Sequence, residues 1–112
     1  MLVVSILEAD IFGEELYPIM RNTLTDIMNQ ERVKLVIASG DGKGMIYRLL
    51  SEMATERPDV FFTILLSNDA LPYENSDKRE ALIQRSDIVI CRKRHCNGIR
   101  EINRYCEIIV IN

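Results

Sequence analysis

The sequence contains no tryptophan and only three prolines and five glycines. Proline and glycine are too scarce for a fibrous or low-complexity chain, and the 47% apolar share is too high for a disordered one. The 14 basic residues are outnumbered by 17 acidic ones, which gives a net charge of −3 and no general basic surface for nucleic acid. The 112 residues fit a single domain spanning 1–112.

Long apolar runs and an even set of cysteines are also missing. No apolar stretch reaches the roughly 18 to 20 residues that a membrane span needs. The first ten residues lack the positive start of a signal peptide and run into acidic residues. The three cysteines (Cys91, Cys96 and Cys106) are an odd number, which does not suit a secreted disulfide framework. We therefore predict a cytoplasmic protein with no membrane partner.

Apolar residues follow two alternating spacings along the chain. Continuous runs predict strands near 2–7, 33–38, 60–66, 87–91 and 107–111. Spacings of three and four predict helices near 14–30, 44–57, 77–85 and 98–105. Asn75 or Ser76 is expected to cap the third helix, and Asn97 the fourth. The third strand, VFFTILL, is the most apolar and is expected to be buried on both faces.

Strands that alternate with helices predict a three-layer α/β fold of the Rossmann-like type, with a five-stranded parallel sheet and helices on both faces. Strand orders 3-2-1-4-5 and 2-1-3-4-5 both fit the pattern. In either order, ligands bind beyond the carboxyl ends of the strands, where the order reverses. The candidate site therefore lies among Glu8–Phe12, Ser39–Lys43, Ser67–Asn75 and Arg92–Asn97.

The glycine turn, Gly40-Asp41-Gly42-Lys43-Gly44, follows the second strand and opens a helix. Glycines let a backbone approach a ligand, and a helix N-terminus attracts anions. Lys43 adds a positive charge, so we interpret the turn as a phosphate site. It does not have the spacing of a Walker loop. A tight turn without a ligand is the alternative, because Asp41 is unfavourable beside a phosphate.

The basic loop, Arg92-Lys93-Arg94-His95, follows the fourth strand at the same edge. Four side chains able to carry positive charge can neutralise a phosphorylated ligand, although a solvated loop explains them equally well. His95 is the only histidine, and the sequence offers it no partner for a role as general base.

Carboxylates and cysteines give weaker signals. Glu8 and Asp10 follow the first strand, where they can hold a ribose hydroxyl, an amine or a magnesium ion, or form a solvated acidic turn. Cys91 and Cys96 are spaced too loosely for zinc and have basic neighbours. Cys91 and Cys106 are interpreted as core thiols. We predict no metal and no cofactor.

Two segments resemble the SLOG superfamily, the Rossmann-like group that contains LOG-type phosphoribohydrolases, DprA/Smf proteins and YpsA-like proteins. VKLVIASGDGKGMIYRLL is similar to its second strand–turn–helix unit. KREALIQRSDIVICRKRHCNGIREINRYCEIIVIN resembles the end of the YpsA-like branch, with a basic helix start, an "SD" strand and a turn at the position of "GGT". The order and lengths of the elements agree over 2–112.

The resemblance implies a nucleotide-type ligand. It places the pocket at the glycine turn, which comprises Gly40, Asp41, Gly42, Lys43 and Gly44, and at Asn97 and Gly98. It also implies that Lys43, Arg92 or Lys93 neutralises the phosphate. Family analogy alone suggests a homodimer.

The sequence departs from the family at the positions that carry catalysis. Asp41 replaces the second glycine of the turn, and Asn97-Gly98-Ile99 takes the place of "GGT". LOG enzymes have a glutamate where Ile102 stands, and Glu101 beside it belongs to another part of the helix surface. We therefore expect a nucleotide-binding domain without strong catalysis. A hydrolase of nucleotide N-glycosidic bonds, using Glu101 or Glu8 as acid/base, and a protein-interaction module with a degenerate pocket are the alternatives.

Overall fold

Five strands form one sheet in the computed structural model, which describes residues 1–66 and 72–112, and only the backbone of 72–77. The strands are β1 (Leu2–Ile6), β2 (Val33–Gly40), β3 (Phe61–Leu66), β4 (Ile88–Cys91) and β5 (Glu107–Val110). Their order is β3-β2-β1-β4-β5, and every neighbouring pair is parallel. The predicted parallel sheet is confirmed, and of the two orders that fitted the sequence the structure has 3-2-1-4-5.

Four α-helices connect the strands within the described part of the chain: α1 (Tyr17–Gln30), α2 (Met45–Glu56), α3 (Pro72–Arg85) and α4 (Cys96–Ile102). Short 3-10 turns precede α1 and α4 and follow β1. No helix in the described ranges is both long and apolar enough to cross a bilayer.

Apolar side chains fill the space on both sides of the sheet, as a three-layer fold requires. Val4 and Ile6 of β1 pack in a large cluster with α1 and α2, including Met20 and Leu49. On the opposite face, Leu7 belongs to a smaller cluster with α3, β4 and α4. The adjacent Ser5 is fully buried there, and its hydroxyl hydrogen-bonds the hydroxyl of Ser86 at the end of α3. The central strand is thus covered on both faces.

The predicted burial of the third strand on both faces is wrong. β3 lies at one edge of the sheet, and Phe61 is 73% and Leu66 63% exposed. An apolar run reports only that a strand can pack against neighbours, and it does not fix the strand's place in the sheet.

Two helix starts also differ from the prediction. α3 begins at Pro72, so neither Asn75 nor Ser76 caps it; proline favours the first helical position because it needs no backbone N–H there. α4 begins at Cys96, directly after a 3-10 turn, so Asn97 lies inside the helix instead of capping it. Residues 67–71 of the predicted long loop lie outside the described residues.

Candidate functional site

Ligands of parallel α/β sheets bind at the carboxyl edge of the sheet, and three described segments lie at that edge. They are the first loop (Leu7–Gly13) after β1, the glycine turn (Gly40–Gly44), which begins at the last residue of β2, and the basic loop (Arg92–His95) after β4. The strand order reverses between β1 and β4, because the chain moves outward from β1 through β2 to β3 and then crosses back to β4. The first loop lies at the centre of this edge.

The glycine turn has the geometry that only glycine adopts freely. Gly42 has φ +85° and Gly44 has φ +109°, both in the left-handed region. The Asp41 carboxylate accepts a 2.8 Å hydrogen bond from the Lys43 backbone N–H, which closes the turn. Among the residues described, no side chain caps α2, the 12-residue helix that follows the turn. Its first backbone N–H groups therefore keep their capacity to bind an acceptor.

Gly40 lies where two side chains converge. A Cβ placed on Gly40 would be 2.2 Å from the Tyr47 hydroxyl oxygen and 2.4 Å from the Asp10 Oδ1 atom. Both distances are far below van der Waals contact, so a side chain at this position would force Tyr47 and Asp10 to move. Tyr47 comes from the first turn of α2 and Asp10 from the first loop, so the close approach joins the two segments at Gly40.

The Tyr47 hydroxyl is a buried polar group that the sequence did not indicate. Tyr47 is only 8% exposed, and within the described chain no acceptor receives its proton. Burial raises the pKa of this phenol, and the charges of Asp10 and Asp41 raise it further, although the Gly42 backbone N–H lowers it. The hydroxyl therefore stays protonated and is a hydrogen-bond donor beside the glycine turn.

Glu8 forms an ion-paired network with the basic loop. Its backbone is left-handed at φ +49°, which is rare for a residue with a side chain. The carboxylate binds the Arg94 guanidinium and lies 3.2 Å from His95 Nε2. Burial raises the pKa of the Glu8 carboxyl, but the hydrogen bonds and charges of Arg94 and His95 outweigh burial and lower it overall.

His95 has the partners that the sequence alone did not show. Its side chain is 14% exposed, and Nδ1 accepts a 3.2 Å hydrogen bond from Arg79 on α3. The Nε2 atom on the other side of the ring faces the Glu8 carboxylate and lies 3.3 Å from the Nε atom of Arg94. Glu8 and His95 meet because their loops follow β1 and β4, which are neighbouring strands.

Arg92 supports the first loop. Its guanidinium donates a 3.1 Å hydrogen bond to the Ile11 carbonyl and lies 5.3 Å from the centre of the buried Phe12 ring. Lys93 is exposed, and its backbone N–H donates to the Asn112 side chain at 3.3 Å. The two side chains of the basic loop that were predicted to neutralise phosphate therefore differ from each other. Arg92 already contacts protein, whereas the Lys93 side chain is exposed to solvent.

The second predicted half of the pocket lies on α4. Asn97 and Gly98 are exposed within this seven-residue helix, and a Cβ on Gly98 would meet nothing within 4 Å. Glu101 is exposed in the last turn of the same helix. Gly98 is thus not required for close approach, and no hydrogen bond or ion pair in the described chain joins these three residues to the glycine turn.

The cysteines lie around the smaller apolar cluster. Cys91 and Cys106 are buried in it, as the sequence predicted, and Cys96 is half-buried against it. Burial, followed by the proximity of Cys96, raises the pKa of the Cys91 thiol to about 12, so the thiol is unreactive at neutral pH. Among residues 1–66 and the described side chains beyond, no three His, Cys, Asp or Glu residues form a group able to hold a metal ion.

Comparison with known proteins identifies no relative. No protein-family model matches the chain, and searches of curated proteins and of solved structures find no match. The resemblance to the SLOG superfamily therefore remains a prediction, and the function is inferred from the geometry at the carboxyl edge of the sheet.

Proposed function

We propose that this domain binds a nucleotide or nucleotide-derived phosphate compound at the glycine turn, at the carboxyl edge of its parallel sheet, and that it has no strong catalytic activity. The phosphate would lie against the backbone of residues 42–44 and the start of α2. Lys43, which is exposed beside the turn, supplies the neutralising charge.

The uncapped start of α2 above a buried hydroxyl is the observation that carries the proposal. The helix has 12 residues, so its dipole and free N–H groups favour an anion. The Tyr47 hydroxyl below the turn also lacks an acceptor among the described residues. A buried donor left without a partner costs about 1–3 kcal/mol, and a ligand oxygen would remove that cost.

The ionisation of Glu8 and the position of Glu101 do not favour catalysis by either of the two candidate carboxylates. A lowered pKa keeps Glu8 ionised at neutral pH, so it has no proton to donate to a leaving group. Glu101 lies in the last turn of α4, away from the first loop in sequence and exposed to solvent. A hydrolase would need one of these groups at the glycosidic bond.

Calorimetric titration of the full chain with AMP and other nucleoside monophosphates tests the proposal. Wild type should bind at least one of them below millimolar concentration. Gly42→Ala should abolish binding, because a side chain at φ +85° strains the turn, while the variant still unfolds cooperatively. Gly98→Ala is the matched control and should bind as wild type. Absence of binding by every nucleotide would contradict the proposal.

The exposed edge strand favours a second candidate, a homodimer. We propose pairing of β3 with β3 of a second copy about a two-fold axis. β3 carries Phe61 and Leu66 largely exposed and has no charged residue, whereas edge strands are normally protected by charge or proline. Because a two-fold interface places each strand against itself, a neutral strand brings no like charges together.

Sedimentation velocity distinguishes the homodimer from the monomer. Wild type should sediment as a dimer and Ile64→Lys as a monomer, since Ile64 lies in the middle of β3. Val110→Lys, on the opposite edge strand, is the matched control and should leave the dimer intact. A wild type that remains monomeric at every concentration would contradict this candidate.

A further inference from the structure

A phenol hydroxyl and a carboxylate approach the same point beside Gly40. The Tyr47 hydroxyl and the Asp10 Oδ1 atom are each within 2.4 Å of a Cβ position on this glycine. Tyr47 is buried, whereas Asp10 is exposed on the first loop, so one group is fixed and the other can change rotamer. Neither the described side chains nor the backbone around them accepts the tyrosine proton.

The two groups differ in what they can bind. Tyr47 offers a proton, and an ionised carboxylate only accepts one. A phosphate oxygen accepts a hydrogen bond from the tyrosine but is repelled by the Asp10 carboxylate. An ammonium group binds Asp10 but leaves the tyrosine proton without an acceptor. A hydroxyl group both donates and accepts, so it satisfies both partners at once.

We propose that Tyr47 and Asp10 bind a sugar hydroxyl, and that the ligand is a phosphorylated sugar, free or as part of a nucleotide. This inference rests on the proposed phosphate site at the glycine turn, which would hold the phosphate of the same molecule. Tyr47 donates to the ligand hydroxyl, and the hydroxyl donates to Asp10. Because the tyrosine is buried, the exposed Asp10 side chain rotates to admit the hydroxyl.

Titration of matched ligands tests the hydroxyl contact. AMP is compared with 2′,3′-dideoxy-AMP, which lacks both sugar hydroxyls, and with ribose 5-phosphate and inorganic phosphate. Wild type should bind AMP about tenfold or more tightly than the dideoxy compound, as loss of a hydrogen bond to a charged group implies. Equal affinity for ribose 5-phosphate and AMP identifies the free sugar phosphate as sufficient, and tighter AMP binding identifies the nucleotide.

Variants at the two residues sharpen the test. Tyr47→Phe should weaken AMP about tenfold and leave dideoxy-AMP and inorganic phosphate unchanged. Asp10→Ala should remove the preference for AMP and strengthen inorganic phosphate, because a negative charge beside the anion is lost. Tyr105→Phe, at a tyrosine that is 97% exposed, is the matched control and should change nothing.

The outcomes separate the two proposals. Equal binding of AMP and dideoxy-AMP by wild type would overturn the hydroxyl contact and leave the phosphate site intact. An equal loss of all ligands in Tyr47→Phe would also overturn it, because the tyrosine would then act on the phosphate or on the fold. If none of the phosphate compounds binds wild type, the proposed function fails and this inference fails with it.

Discussion

The glycine turn and the basic loop lie at the same edge of the sheet but use their residues in opposite ways. The basic loop carries the charge, yet Arg92 bonds to Ile11, Arg94 bonds to Glu8, and His95 lies between Glu8 and Arg79. The glycine turn carries little charge, but the start of α2 is uncapped and the Tyr47 proton lacks an acceptor in the described chain. Arg92 Nε in the basic loop is also buried without a partner in the described chain, so the glycine turn is distinguished by combining such a group with the uncapped start of a 12-residue helix.

The largest expected effect is at Gly40, where the glycine turn depends on close packing. Gly40→Ala places a carbon 2.2 Å from the Tyr47 hydroxyl, and we expect it to lower the free energy of unfolding by about 3 kcal/mol. In urea denaturation, a Tyr47→Phe background should recover part of that loss, because the phenyl ring lacks the atom that clashes. An equal loss in both backgrounds would show that Tyr47 does not constrain Gly40.

Lys43 tests whether the glycine turn, and not the basic loop, meets the ligand. Lys43→Ala should weaken nucleotide binding by about 2 kcal/mol, the scale of a hydrogen bond to a charged group, and the effect should shrink as salt rises. Stability should not change, because Lys43 is exposed. Titration calorimetry at two salt concentrations measures the affinity and its dependence on salt. Lys93→Ala is the control in the basic loop, and a larger loss there would reverse the comparison.

Arg92 should show the reverse behaviour. Arg92→Ala removes the hydrogen bond to Ile11 and the contact with the Phe12 ring, so we expect a loss of about 1–2 kcal/mol in unfolding free energy. Nucleotide affinity should stay within twofold of wild type. Thermal unfolding and titration of the same preparation measure both. A variant as stable as wild type with weaker binding would place Arg92 in the ligand site.

The smallest expected effect concerns the pH dependence of the basic loop. The pKa of Glu8 is lower in the folded protein than its ordinary value of 4.5. The ion pair with Arg94 and the contact with His95 therefore stabilise the fold above that value, and their contribution is lost as the pH falls through the folded pKa. Melting temperatures from pH 6 downward should fall more steeply below pH 4.5 for wild type than for Glu8→Gln. Parallel curves would contradict the pairing.

Much of the fold could be predicted from the sequence because burial leaves a direct pattern. The parallel sheet and the apolar faces of α1 and α2 follow from the spacing of apolar residues. The place of β3 did not follow, because its composition describes its own packing capacity and not the number of neighbouring strands. Strand order is a property of the connections between strands, and either order satisfies the same spacing.

The candidate site was predictable only in part. The sequence placed Gly40–Gly44, Glu8 and the basic loop at one edge, and the structure describes them there. The pairing of Glu8 with His95 depends on β1 lying beside β4, which one sequence does not determine. Tyr47 resembles any other buried aromatic residue of a helix, so its unpartnered hydroxyl is evident only in the three-dimensional structure.

The central position of β1 also bears on the order in which the protein folds. β1 pairs with β2 and, across 84 residues of chain, with the segment that leads into β4, where the Val3 N–H meets the Asp87 carboxylate. Closing a long loop costs more entropy than closing a short one, so contacts distant in sequence form later. Pulsed hydrogen exchange should therefore protect the amides of β2 before those of β4, and the β4 side of the sheet, with the basic loop that follows it, would assemble after the β2 side.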